Sequence, residues 1–171
     1  MIAIVFSLLF YLYTRKRGWY SFRTRWAKVG KFFGTYNRTL DEKHRLQIPS
    51  KLVKEMPKSF YVLRGFDGCL AVYEESSFEA LLAKLENLQF NEKTSRDYIR
   101  LASSSAVELE VDAHGRVTIT SDLASTYHIE GEVSIIGVID HFEIWDKATY
   151  EDYIKEKTPS YEEFASESVK L

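Results

Sequence analysis

The chain has few of the residues on which several specialised protein classes depend. Its 171 residues include one cysteine, three prolines and eight glycines. A single cysteine, Cys69, excludes an intramolecular disulfide framework and is typical of a reducing compartment, so we expect a cytoplasmic protein. The low proline and glycine content argues against a disordered chain, and a hydrophobic content of 45% is ordinary for a globular protein.

Motifs of catalysis and metal binding are also missing from the sequence. The four histidines are scattered, without the spacing of a metal site such as His-x-x-x-His. There is no Gly-x-Ser-x-Gly and no glycine-rich phosphate loop. We expect Cys69 to be a small apolar residue on a strand rather than a nucleophile. The sequence therefore predicts no enzyme, no catalytic residues, no metal site and no cofactor.

Residues 1–31 differ in composition from the rest of the chain. They carry seven basic groups and no acidic ones, and their apolar run, residues 2–13, is shorter than the roughly 20 residues that span a bilayer. Basic residues follow this run, whereas a secretory signal places them before it. The segment is either upstream sequence translated from an over-extended gene start or a membrane-surface anchor. The abrupt change at Lys31 favours the first interpretation, although no methionine near that residue offers an internal start.

A repeat organises the remainder of the chain. Asp41 and Arg45 are followed by an apolar–polar–apolar alternation, and so are Asp112 and Arg116, which lie 71 positions later. This alternation has the period of a half-buried strand. The similarity continues downstream at a spacing of 72 positions, where residues 63–66 and 70–73 resemble 135–138 and 142–145. We therefore expect one inserted or lost residue, and we assign the copies to residues 35–78 and 106–149.

Each copy is expected to contain a strand, a tight turn, a second strand, a short helix, two strands and a helix. The short helix is predicted at residues 49–56 and is less clear in the second copy. Residues 76–79 resemble a capping box, and Thr149 is the predicted cap of the matching helix. A further helix is predicted at residues 94–103. We expect residues 158–171 to form a mobile or docking tail.

The Asp-x-x-x-Arg turn allows two interpretations. In the first, the aspartate accepts amide hydrogen bonds from the turn and pairs with the arginine, which locks the hairpin. In the second, Arg45 projects outward and binds phosphates or a guanine edge, because its planar guanidinium fits both. The spacing alone favours the first. The turn-stabilising residues are then Asp41, Asp112 and Gly115, the last at a position where a positive φ costs nothing.

Basic residues gather around the first turn more than around the second. The first has Arg38, Lys43, His44, Arg45, Lys51 and Lys54, whereas the second has only His114 and Arg116. Beyond residue 31 the net charge is −9, so DNA binding would need such a local cluster, repeated by oligomerisation. We expect the first copy to contact DNA and the second to be mainly structural, with Arg116 kept as a candidate.

Two motifs in this order resemble a known family. Residues 32–49, which contain Asp41, Lys43, Arg45 and Pro49, resemble the opening of MraZ transcription regulators. Residues 111–119 resemble the second motif of that family, and residues 136–137 with 142–145 resemble its closing strands. The resemblance covers about residues 32–155, and His44 departs from it because the family usually has glycine there.

The resemblance implies a fold and a function. The implied fold is α+β and mainly β: a double-split β-barrel of two tandem AbrB-like repeats, assembled into an octamer-type ring of identical chains. The implied function is sequence-specific regulation of transcription at the nucleoid, through short direct repeats of double-stranded DNA. These repeats would lie before the division and cell-wall gene cluster, including the protein's own gene. The resemblance implies that Arg45 contacts DNA. Lys43 and Arg38 follow on charge and position, with Lys51, His44 and Arg116 as further candidates.

The alternative is an AbrB-like interaction scaffold that binds no DNA. The acidic charge beyond residue 31 favours it, and a basic face in the structure would count against it. Such a scaffold would be tethered to a membrane if residues 1–31 are a genuine anchor. No membrane partner is expected otherwise.

Overall fold

The structure is a computed structural model that describes residues 32–53 and 57–168. The first copy supplies β1 (Phe32–Thr39), β2 (Arg45–Gln47), β3 (Ser59–Arg64), β4 (Leu70–Tyr73), α1 (Glu75–Glu86) and α2 (Lys93–Ser104). The second supplies β5 (Val107–Glu110), β6 (Arg116–Thr118), α3 (Ser121–Thr126), β7 (Glu132–Ile139), β8 (His141–Asp146), α4 (Lys147–Lys157), a 3-10 turn (Thr158–Ser160) and α5 (Tyr161–Ser168). The two interpretations of residues 1–31, and the candidate Lys54, lie outside the described residues.

Strands of both copies combine in one antiparallel sheet. Its order is β1-β7-β8-β4-β3-β5, and β2 pairs with β6 in a separate two-stranded ribbon. The first strand of each copy thus pairs with the third strand of the other copy, β1 with β7 and β5 with β3. If each strand is replaced by its counterpart in the other copy, the same order is obtained from the opposite edge of the sheet. The repeat therefore forms an approximate two-fold axis between β4 and β8. The fold is α+β with an antiparallel sheet, as the sequence predicts.

The pairing corrects the alignment of the two copies downstream of the turns. The Leu40 amide donates to the Gly131 carbonyl, and the Val111 amide donates to the Lys58 carbonyl. The two donors are 71 positions apart but the two acceptors are 73 apart, so β3 and β7 correspond at 73 positions. The predicted alignment of residues 63–66 is therefore one residue out of register. The β7–β8 turn is one residue shorter than the β3–β4 turn, so β4 and β8 correspond at 72 positions. An insertion of two residues and a deletion of one therefore appear in the sequence as a single inserted residue.

The ribbon covers one face of the sheet and the first two helices cover part of the other. Leu46 and Val117 of the ribbon are buried against the sheet, in a core that includes Phe60, Val62, Val133, Ile135, Phe142 and Ile144. Burying such side chains contributes about 1.5–3 kcal/mol each. The opposite face packs under α1 and α2 through Leu63, Ala71, Tyr73, Leu85 and Ala102. The ribbon is thus fixed to the body by its inner face.

The helix predictions had mixed outcomes. The helix predicted at residues 94–103 is confirmed, since it lies within α2. Both predicted caps are wrong: α1 begins after Glu74 without a side-chain cap hydrogen bond, and α4 is capped by Asp146, which accepts from the Thr149 amide at 2.9 Å. The start of each helix is set by the end of the preceding strand, which moves the cap position upstream of the serine and threonine.

The short helix after the ribbon is clear in the second copy, contrary to expectation. It is α3, and the Thr120 side chain caps it. In the first copy the Leu52 amide bonds to the Pro49 carbonyl in a turn, and residues 54–56 lie outside the description. Residues 158–168, predicted as a tail, form the 3-10 turn and α5. No helix in the described ranges has both the length and the apolar character needed to cross a membrane.

Candidate nucleic-acid interface

One carboxylate fixes the first turn, residues 41–45. Asp41 Oδ1 accepts the backbone amides of Lys43 at 2.9 Å and Arg45 at 3.0 Å, and Oδ2 accepts Arg45 Nε at 2.7 Å. The backbone closes the turn, because the His44 amide donates to the Asp41 carbonyl at 2.9 Å. The side chain of Arg45 and the backbone of the turn are therefore held by the same group.

The second turn, residues 112–116, repeats this geometry. Asp112 Oδ1 accepts the amides of His114 at 2.8 Å and Arg116 at 3.0 Å, and Oδ2 accepts Arg116 Nε at 2.8 Å. Gly115 has a φ of 75°, and His44 at the matching place in the first turn has a φ of 54°. The absence of glycine from the first turn therefore does not change its conformation.

Hydrogen bonding lowers the pKa of both carboxyl groups. For Asp41 the largest cause is the hydrogen bond from the Arg45 amide, which outweighs partial desolvation and lowers the pKa. For Asp112 partial desolvation raises the pKa, but the amide and guanidinium of Arg116 and the amide of His114 together lower it to about 2. Both carboxylates are therefore ionised at neutral pH and hold their arginines by charge as well as geometry.

The ribbon presents both arginines on one exposed face. Its register pairs Leu46 with Val117, and both side chains are buried in the core. Side chains alternate along a strand, so the residues on either side of this pair point away from the core. The outward face therefore carries Arg45, Gln47, Arg116 and Thr118.

The ion pairs leave the arginines able to bind a ligand. A guanidinium has five N–H donors, and the Asp41 carboxylate accepts the one on Arg45 Nε. The side chains of Arg45 and Arg116 remain 33% and 27% exposed. An arginine held in this way loses little further side-chain freedom when it binds. The structural and the ligand-binding interpretations of the turn are therefore compatible.

The antiparallel ribbon distributes the basic residues between its two ends. Lys43 is exposed on the first turn, next to Arg45, at one end. The chain then runs to the other end, where the Ile48 amide bonds to the Gly115 carbonyl, and exposed Lys51 follows three residues later. Lys51 thus lies on the side of the second turn, with Arg116. The structure therefore places basic residues at both ends of the ribbon, and not only beside the first turn.

Arg38 stands apart from this face. It lies on β1 opposite Val133, and its Nη1 donates to the Asn37 carbonyl at 2.8 Å. The corresponding residue of the second copy is Leu109, which is buried in the core. Arg38 is half-buried at the edge of the sheet, on the strand that leads into the first turn.

Gln47 has a role that sequence reasoning missed. Its Nε2 donates to the carbonyls of His114 and Gly115, both at 3.1 Å, so a residue of the first copy holds the backbone of the second turn. The only trace in the sequence is a polar residue on the outward side of a short strand, with Thr118 at the matching place. Its partner becomes apparent only once β2 is paired with β6.

A second polar cluster lies on β8 and on Asp140, which precedes it, and its side chains bond to one another. His141 Nδ1 is 2.7 Å from Asp140 Oδ1, and Glu143 accepts the indole N–H of Trp145 at 2.9 Å. Burial lowers the pKa of His141, but Glu143 and Asp140 together raise it.

Desolvation raises the pKa of the buried thiol of Cys69, which makes it a poor nucleophile. Within the described ranges no group of histidine, cysteine and acidic residues is arranged to hold a metal ion.

Comparison with protein families places both copies in one family. Residues 32–101 and 103–170 match the family described as "MraZ protein, putative antitoxin-like". Each matched stretch contains one four-stranded copy with its Asp-x-x-x-Arg turn, and the two together cover most of the chain. This is a family of regulators and not of enzymes. The chain therefore belongs to the MraZ family, in which it carries two tandem copies of the matched unit.

Proposed function

We propose that the protein is a sequence-specific DNA-binding transcriptional regulator that reads double-stranded DNA with the outward face of the β2–β6 ribbon. The observation that carries this proposal is the pair of carboxylate-fixed arginines, Arg45 and Arg116, on one exposed face. The major groove admits a two-stranded ribbon, and a guanidinium binds phosphate or a guanine edge through two parallel hydrogen bonds.

The charge distribution supports the proposal. The outward strand residues of the ribbon include two arginines and no acidic residue, and exposed Lys43 and Lys51 lie at its two ends. The acidic residues of the adjoining turns are Asp41 and Asp112, which pair with the two arginines, and exposed Glu42. The net charge beyond residue 31 is nevertheless −9. An acidic body repels DNA everywhere except at such a basic surface, which orients the protein on the duplex. This local basic face counts against a scaffold that binds no DNA.

Family membership extends the proposal to the target and the assembly. The ribbon binds short direct repeats in the promoter of the division and cell-wall gene cluster, including the protein's own gene, at the nucleoid. The exchanged strands close as a double-split β-barrel, and identical chains form a ring. A ring presents the same arginines to consecutive repeats, and linked sites commonly gain about 10²–10⁴-fold in avidity. The occupied promoter is then closed to polymerase.

The test measures binding of the full chain to DNA from its own upstream region, by fluorescence anisotropy over a salt series. Lys43→Ala removes an exposed side chain without touching the Asp41 hydrogen bonds, which come from the Lys43 backbone. We expect weaker binding and a salt slope smaller by about one. Lys155→Ala removes another exposed positive charge, from α4, and should leave binding unchanged.

Arg45→Ala addresses the arginine itself. We expect a loss of about 5- to 150-fold, the range for a well-placed arginine contact. Arg45→Lys keeps the charge but loses the planar fork, and should recover only the salt-dependent part. Thermal unfolding and assembly size must be unchanged, because Arg45→Ala also removes the partner of Asp41. A folded wild-type assembly without affinity for the DNA would refute the proposal and favour the interaction scaffold.

A further inference from the structure

The helices that follow the two copies are packed differently. Leu85 of α1 and Ala102 of α2 are buried against the sheet, whereas neither α4 nor α5 has a buried residue. On α5, Tyr161 is 73% exposed and Phe164 is 45% exposed. Residues three apart share one face of a helix, so the two rings form a single apolar surface. A helix of eight residues is too short to be stable in water without packing.

The β3–β4 turn and α2 form a second apolar surface. Phe66, in the β3–β4 turn, stacks on Tyr98 of α2 with ring centroids 6.3 Å apart. Leu101, one helical turn further along α2, is more than half exposed, as is Phe66. Aromatic side chains gathered in one exposed patch are typical of interface anchors.

The helices that carry the two surfaces have opposite net charge. Acidic residues flank the rings of α5, namely Glu162, Glu163 and Glu167, and α5 has no basic residue. Helix α2 carries Lys93, Arg96 and Arg100 against a single acidic residue, Asp97, which pairs with Lys93 and Arg100. Complementary charges around an apolar centre favour one partner and one orientation.

We propose that α5 of one chain docks on the surface formed by Phe66, Tyr98 and Leu101 of a second copy. Within one chain both surfaces are exposed, so they do not cover each other. The surfaces differ, so each chain donates one and accepts one, and a repeated contact of this kind closes into a ring when the rotation permits. The inference rests on the homo-oligomer of the proposed function and names its interface.

The first test compares assembly sizes of full-length chains by sedimentation velocity. Phe164→Asp disables the donor surface and Leu101→Asp disables the acceptor surface, and each should reduce the assembly to monomers. Phe33→Asp is the control, since Phe33 is at least as exposed as Phe164 and Leu101 but lies on β1. Far-UV circular dichroism must show that all three variants are folded. Assembly that resists both substitutions, or that only Phe33→Asp disrupts, overturns the inference.

The second test distinguishes this contact from any other interface. A mixture of the Phe164→Asp and Leu101→Asp chains retains one intact donor and one intact acceptor, so it should form dimers and nothing larger. Charge reversal by Glu163→Lys or Arg100→Glu should weaken assembly, and the two reversals together should restore it. A mixture that stays monomeric, or reversals that fail to compensate, overturns the pairing. Lys43→Ala should assemble normally, so a failure of DNA binding and a failure of this interface are separable.

Discussion

In each of the two turns one aspartate fixes both the backbone and an arginine side chain. Asp41 and Asp112 each accept two backbone amides and a guanidinium, so the turn and the side chain are fixed together. This arrangement tolerates strain, since His44 has a φ of 54° in a region that costs a non-glycine residue about 1–2 kcal/mol. The hydrogen bonds of Asp41 offset that cost and keep both turns alike.

The pH dependence of the second turn follows from the lowered pKa of Asp112. A lowered folded-state pKa means that Asp112 stabilises the fold above its ordinary value of 3.8, and that this contribution is lost as the pH falls towards about 2. We therefore expect the free energy of unfolding to fall between these values. Urea titrations at pH 5, 4, 3 and 2 measure it for the wild type and for Asp112→Asn.

The Asp112→Asn variant is the control for that titration. It cannot ionise, so it should be less stable than the wild type at pH 5, and the difference should shrink as the wild-type carboxylate protonates. A difference that stays constant down to pH 2 would show that the ion pair with Arg116 contributes nothing to stability. The other carboxyl groups titrate in both proteins and cancel in the comparison.

Sequence reasoning succeeded at this scale where the interaction is local. Asp41 and Arg45 are four residues apart, so spacing alone offered the turn and its ion pair as one interpretation. Gln47 bonds to carbonyls nearly seventy positions away, and nothing around it in the sequence points there. The same limit applies to Lys51, which moves to the second turn only because β2 pairs with β6.

At the scale of elements, the helix starts show how tertiary structure overrides a local pattern. Residues 76–79 have the composition of a capping box, yet α1 begins earlier because β4 ends at Tyr73 and leads directly into it. In the second copy β8 ends at Asp146, whose side chain is itself a good cap. The pattern predicted both helices correctly but not the residue at which each begins.

These two helix starts provide a matched comparison of stability. Asp146 accepts both the amide and the hydroxyl of Thr149 at 2.9 Å, so Asp146→Ala should cost about 1 kcal/mol in the free energy of unfolding. Glu74 holds the same place before α1 without a side-chain cap hydrogen bond, and Glu74→Ala should cost less than about 0.5 kcal/mol. Urea unfolding measures both. Equal losses would mean that the Asp146 hydrogen bonds are not what anchors α4.

At the scale of the whole molecule, the repeat produces one folding unit and not two. The sequence predicted two β-rich copies, but it could not predict that they exchange strands. β1 pairs with β7 and β5 pairs with β3, and these partners lie far apart in the chain. Two independent modules and two interlocked ones have the same local pattern, because alternation specifies a strand and not its partner.

Cutting the chain between α1 and α2 tests this interlocking. A fragment of residues 1–89 keeps β1 to β4 but loses β7, the partner of β1, and residues 90–171 lose β3, the partner of β5. We expect neither fragment alone to unfold cooperatively. An equimolar mixture should regain a single transition, with a midpoint that rises with concentration because folding now includes association.

A cut elsewhere supplies the control for this experiment. Residues 1–157 retain all eight strands and lose only the 3-10 turn and α5, which buries no residue in the single chain. This truncated chain should therefore unfold with nearly the wild-type free energy, although it should no longer assemble. If residues 1–89 or 90–171 gave a cooperative transition alone as a monomer, the copies would be separate modules. The paired strands would then be a docking contact between them, and the ribbon that carries both arginines would form only after each copy had folded.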